Sequence, residues 1–82
     1  MNEEILFFTA PWCGPCQQMK RVIKESNVEN LNINIIDISE EGAMQKVCDY
    51  EVLNVPLFIK LVDNKETNRK AGSITINELQ NL

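Results

Sequence analysis

Apolar residues fall in short runs set apart by turn-forming residues, and the period of each run changes along the chain. Residues 5–9, Ile-Leu-Phe-Phe-Thr, are continuously apolar and rich in β-formers. Such a run, closed by Ala10-Pro11, predicts a strand buried on both faces, as in a parallel sheet. Met19, Val22 and Ile23 then recur at helical spacing, with Lys20, Arg21 and Lys24 opposite as a solvated face. Pro15 suits a first helical turn, so a helix is predicted over about 14–26. Residues 31–38 alternate and then continue apolar, which predicts a second strand. Ser39, followed by Glu40, Glu41 and Gly42, has the look of a helix start with a serine cap. Met44, Val47 and Cys48 would form that helix's apolar stripe, with Cys48 a buried small residue. Val55-Pro56 opens a third strand, Leu57–Val62. Residues 63–66 read as a turn and 67–72 as a short polar edge strand. Thr75 caps a last short helix with Ile76 and Leu79 facing inward. The predicted order is β-α-β-α-β-β-α, an α/β fold with a parallel crossover first and a hairpin later.

The chain has 82 residues, enough for a single domain, 1–82, that folds with little margin. Its 44 % hydrophobic content is ordinary for a globular protein. Twelve acids against eight bases leave a net charge of −4, which argues against nucleic-acid binding. No apolar run approaches the ~20 residues of a membrane span. The N-terminus is acidic and the apolar run after it is too short for a signal peptide, so a cytoplasmic protein is expected.

The three cysteines, Cys13, Cys16 and Cys48, change the picture most. Two lie three positions apart, a spacing that closes too small a loop to staple a fold. There is no histidine. Cys-His dyads and mixed Cys/His zinc sites are therefore excluded, and a zinc site would have only Cys48 to add to the pair. In Trp12-Cys13-Gly14-Pro15-Cys16 the two thiols fall on one face of a helix's first turn, close enough to form a disulfide. Cys13 meets the unpaired N–H groups and positive end of the helix, which favour thiolate, the attacking species. Cys16 lies one turn further in and more covered. Cys13 is therefore assigned as nucleophile and Cys16 as resolving thiol.

Trp12-Cys13-Gly14-Pro15-Cys16 after a strand, Val55-Pro56 about forty residues on and Lys70-Ala71-Gly72 near the end together resemble the thioredoxin family. The resemblance covers nearly the whole chain. It implies the thioredoxin fold, a four-stranded mixed sheet flanked by three helices, with Pro56 cis and facing the cysteines. It further implies that Trp12, Gly14, Pro15, Val55, Pro56, Ala71 and Gly72 border a groove for an extended substrate, paired through backbone in the manner of strand addition. The chain is shorter than ordinary thioredoxins, which carry an extra strand and helix before the motif. In that it is similar to compact, glutaredoxin-sized members.

Two family positions depart from pattern. The buried aspartate six residues before the nucleophile is Phe7 here, and the lysine that accompanies it falls near Ile35 or Ile36. The family's buried proton relay does not carry over. The expected function is thiol-disulfide exchange, mainly reduction of protein disulfides, in electron transport and cell redox homeostasis. No bound cofactor or metal is expected. Electrons would come from a thioredoxin reductase or similar donor, and a monomer is expected. The alternative is a glutaredoxin reduced by glutathione. Gly-Pro between the cysteines, and Asn54 before Val55-Pro56, stand against it. A third possibility is a binding module whose disulfide is incidental.

Overall fold

The computed structural model describes residues 2–28 and 30–82. Strand β1 spans Glu3–Thr9 and helix α1 Gly14–Glu25; β2 spans Ile33–Asp37. A 3-10 turn, Glu41–Ala43, leads into helix α2, Met44–Asp49. Strands β3, Leu57–Val62, and β4, Lys65–Ala71, form a hairpin, and helix α3, Ile76–Gln80, ends the chain. The sheet order is β2-β1-β3-β4. β1 and β2 are parallel, with Ile5 opposite Ile33, while β1–β3 and β3–β4 are antiparallel. This is the expected element order and the expected mixed sheet.

β1 explains why the sheet is buried on both sides. Its alternate side chains enter two separate cores. Ile5 and Phe7 join Met19, Phe58, Ile74 and Leu79 beneath α1 and α3. Leu6 and Phe8 join Ile36, Ala43, Leu57, Ile59 and Leu61 on the α2 side. Each fully buried Leu, Ile or Phe contributes about 1.5–3 kcal/mol, and β1 alone supplies four such residues. β4 is the opposite case. All seven of its residues are exposed. It is held by its ladder to β3 and by Arg69, which donates to the Tyr50 carbonyl at 2.9 Å while paired at 2.6 Å with Glu66 of the same strand.

The C-terminal helix starts as expected. Thr75 Oγ1 accepts from the Glu78 amide at 3.0 Å, and the Glu78 carboxylate accepts from the Thr75 amide at 2.9 Å. This reciprocal capping box orients α3 so that Leu79 is fully buried over the Phe7–Phe58 pair's core.

The region after β2 differs from expectation. Ser39 does not cap a helix: its amide and hydroxyl both turn back to Asp37 Oδ1, at 2.8 and 2.6 Å. Those two bonds hold the Asp37 carboxyl below its ordinary range. The helical segment starts one residue later than a Ser39 cap would set it, with Glu40 at the cap position. Met44 and Cys48 are exposed, and Val47 is only partly covered. Ala43 and Tyr50 take the inward places instead, the latter with its ring 6.3 Å from Phe8. Elsewhere only ends move. β2 omits Leu31, β1 begins at Glu3, and α1 stops at Glu25. Lys65 and Glu66 belong to β4 rather than to the turn, while Gly72 lies outside it.

Candidate functional site

The site begins where β1 ends. The chain leaves Thr9 and folds back at once, the Cys13 amide donating to the Ala10 carbonyl at 3.1 Å. The Gln17 side chain donates to that same carbonyl at 2.9 Å, tying α1's first turn to the loop. Cys13 is the N-cap of α1, in extended conformation, with Gly14 and Pro15 opening the helix. Its sulfur accepts a hydrogen bond from the Cys16 amide at 3.2 Å. A cap normally offers oxygen to this orphan donor; here the acceptor is sulfur. No acid occupies the first turn, so the positive end of the helix faces Cys13 unopposed. Cys13 and Cys16 form a disulfide, with Cα atoms 5.2 Å apart. Cys13 is half-buried and Cys16 has no exposed surface. The two sulfurs thus differ in access as the spacing implied.

Cys13 lies at the edge of an open pocket of about 320 Å³, lined by Trp12, Cys13, Ile38, Val52, Leu53, Asn54 and Val55. Trp12 is 71 % exposed and Leu53 88 %, two large apolar side chains left in water beside a reactive sulfur. The Val55–Pro56 bond is cis, as the resemblance implied. Among the described residues the Val55 backbone makes no hydrogen bond. Pro56 is buried, and its carbonyl accepts from the Gly72 amide at 2.8 Å. Gly72 has φ +84°, the left-handed region that favours glycine, so the bend after β4 is made at that residue. Ala71 lies on a neighbouring hollow with Leu53, Asn54 and Arg69 rather than on the Cys13 pocket. Gly14 and Pro15 are exposed at the helix start. Ile38, Val52, Leu53 and Asn54 are the lining residues that sequence reasoning missed. The signal for Leu53 and Asn54 was their place immediately before Val55-Pro56. Ile38 reads only as part of the second strand, and Val52 carries no signal.

Phe7 is fully buried and stacks on Phe58, with ring centroids 4.5 Å apart and planes within 11°. The place of the family's aspartate is therefore packed with aromatic carbon. No group of three ligating side chains that would hold a metal ion occurs among the described residues. Nor is any helix there long and apolar enough to cross a membrane.

The sequence model of the thioredoxin family matches residues 2–82. The chain belongs to the thioredoxin family. It is 27 % identical over 78 residues to a thioredoxin of Mycoplasmoides gallisepticum, covering 95 % of this chain and 78 % of that one. It is 31 % identical over 71 residues to the mitochondrial thioredoxin O of rice, covering 84 % of this chain but 41 % of the rice protein. The chain thus spans well under half of that thioredoxin's length. Among solved structures, a point mutant of a thioredoxin from Halobacterium salinarum superposes with a TM-score of 0.81 at 25 % identity. That match covers 96 % of this chain and 69 % of the other. Fasciola hepatica thioredoxin, at 21 % identity and a TM-score of 0.82, shares the fold. The disulfide between Cys13 and Cys16 lies within the matched residues, in the Trp12-Cys13-Gly14-Pro15-Cys16 segment that carries the resemblance to that family.

Proposed function

We propose that this chain, acting as one domain, is a thioredoxin-type reductase of protein disulfides. One observation carries the reading: Cys13 caps α1 with the Cys16 amide aimed at its sulfur, while Cys16 itself is sealed from solvent. In the reduced protein the Cys13 thiolate attacks a substrate disulfide. A bond forms from Cys13 to one substrate sulfur, and the other leaves as thiolate with the electron pair. Cys16 then attacks the Cys13 sulfur. The Cys13–Cys16 bond forms, the second substrate thiolate departs, and two electrons have passed to the substrate. With Phe7 in the aspartate's place, the proton of Cys16 goes to water or to the departing thiolate.

Trp12, Leu53, Asn54 and Val55 form the landing surface. The free Val55 backbone pairs with an extended substrate segment, while Trp12 and Leu53 give apolar contact. Gly14 and Pro15 set the approach to Cys13, and Pro56, Ala71 and Gly72 shape the far side. Electrons return from a thioredoxin reductase or similar donor, and the chain works as a monomer in cell redox homeostasis. An exposed unpaired thiol, Cys48, accords with a reducing compartment such as the cytosol. No observation favours reduction by glutathione.

The test is insulin reduction coupled to one of two electron sources. Turnover with NADPH and a thioredoxin reductase, exceeding that with glutathione and glutathione reductase, is the expected result. Turnover with glutathione alone would transfer the protein to the glutaredoxin class. Inactivity with dithiothreitol as donor would leave a binding module.

A further inference from the structure

One buried polar group is not used by the chemistry above. Thr9 is the only polar or charged residue among those fully buried in the described structure. Its Oγ1 is the one buried side-chain oxygen or nitrogen there without a hydrogen bond. A hydroxyl closed off from water and unpaired is costly, and each such group in a native fold calls for a reason.

Its position supplies one. Strand alternation puts Thr9 on the same sheet face as Ile5 and Phe7, the face covered by α1. α1 runs back over β1, and Met19 is its contribution to the Phe7 core. Cys16 lies one turn before Met19 on the same stripe, and Thr9 lies two residues beyond Phe7. Thr9 on the strand and Cys16 on the helix both lack exposed surface, and strand alternation with helical spacing directs both toward this end of the layer. In the disulfide the Cys16 sulfur is bonded to Cys13, has no proton to donate and is at most a weak acceptor, and Thr9 Oγ1 makes no hydrogen bond to it. Reduction turns it into a thiol, which donates, or a thiolate, which accepts strongly. A threonine hydroxyl answers both, accepting from S–H or rotating to donate to S⁻.

We propose that Thr9 is a positioning residue for the resolving thiol: its hydroxyl is left unpaired in the disulfide form and is hydrogen-bonded by Cys16 in the dithiol form. The inference rests on the dithiol reading given above. Thr9 takes no net proton and forms no bond to substrate. It makes the oxidised protein relatively worse and the reduced protein relatively better, so it shifts the redox equilibrium toward the dithiol. It also holds the Cys16 sulfur in place for its attack on the mixed disulfide.

The experiment measures the equilibrium of the whole chain with reduced and oxidised dithiothreitol, for the wild type, Thr9→Val, Thr9→Ser and Thr9→Ala. Valine keeps the shape and removes the hydroxyl. One hydrogen bond lost on one side of the equilibrium is worth roughly five- to tenfold. The constant for reduction should fall by that factor in Thr9→Val, tenfold being about 30 mV for a two-electron couple. Thr9→Ser should stay within twofold of the wild type. Thr9→Ala, a second hydroxyl-free variant, should fall with valine. Melting curves of both redox forms close the cycle, with Thr9→Val gaining stability in the oxidised form relative to the reduced. A Thr9→Val constant equal to wild type, or a Thr9→Ser constant shifted as far as valine, overturns the proposal. A wild type that does not equilibrate with dithiothreitol at all overturns the dithiol reading and this inference with it. Equilibration of the wild type without a Thr9→Val shift overturns this inference alone.

Discussion

Replacing Phe7 by aspartate tests whether this chain tolerates the family's buried acid. Phe7 has no exposed surface and stacks on Phe58 in the core shared with Met19 and Leu79. Truncating such a phenylalanine costs about 3–5 kcal/mol. The carboxyl adds about 1–3 kcal/mol when buried without a partner, even in its neutral form. The sum is about 4–8 kcal/mol. A domain of this length has roughly 4–12 kcal/mol in total, at about 0.05–0.15 kcal/mol per residue. Phe7→Asp should therefore sit at the edge of unfolding at neutral pH. The pH dependence gives a sharper signature. Burial raises an acid's pKa in the folded state, so the folded protein binds more protons than the unfolded one. Stability is then greatest below the unfolded pKa and falls as pH rises through the folded value, by up to about 1.4 kcal/mol per unit. A titration between roughly pH 6 and 9 is expected, with none in the wild type from a buried acid. Urea unfolding followed by circular dichroism, at about pH 5 and pH 8, reads both effects. The packing argument fails if Phe7→Asp lies within about 1 kcal/mol of wild type and has the same pH slope.

Four further outcomes are expected. Cys16→Ser should accumulate a mixed disulfide with a substrate, visible by mass spectrometry, and Cys13→Ser should form none; the reverse pattern would exchange their roles. Trp12→Ala should lower kcat/KM for a protein disulfide about five- to thirtyfold, as loss of an aromatic anchor does, while leaving the dithiothreitol equilibrium unchanged. At α3, Lys70 and the Thr75 amide hold Glu78 down to about 2 from 4.5. A depressed acid stabilises above its unfolded pKa, so this contribution is lost as pH falls from about 4.5 toward 2. Glu78→Gln should flatten that part of the urea-midpoint profile, and Thr75→Ala should cost about 1 kcal/mol at neutral pH through loss of the cap.

The sheet was legible because β1 carries an unbroken apolar run over 5–8, and β3 a run interrupted only by Lys60, as a strand covered on both faces requires. Thr75 was legible as a cap because the helix behind it supplies Glu78 at the third position. Ser39 misled for a physical reason: Asp37, two residues earlier, offers a competing acceptor, and the local turn wins over the cap. Met44 and Cys48 misled because a helix of six residues has too few positions to fix which side faces inward. Tertiary contacts chose Ala43 and Tyr50. At the site, Cys13, Cys16, Trp12 and Val55 came from a local motif and a family likeness. Ile38 entered the pocket only through the meeting of distant segments, which no local pattern shows. The unpaired hydroxyl of Thr9 was invisible for the same reason, since threonine in a strand is ordinary until its surroundings are closed.

None of the residues lining the pocket beside Cys13 bears a charged side chain, although the chain as a whole carries a net charge of −4. Under the proposed function, Coulombic guidance is therefore weak at the point of contact, and docking would rest on dehydration of Trp12 and Leu53 and on backbone pairing. Collisions with protein disulfides should proceed at the unsteered rate of about 10⁵–10⁶ M⁻¹s⁻¹. Raising ionic strength should change that rate little, because screening acts on steering that the pocket does not exert.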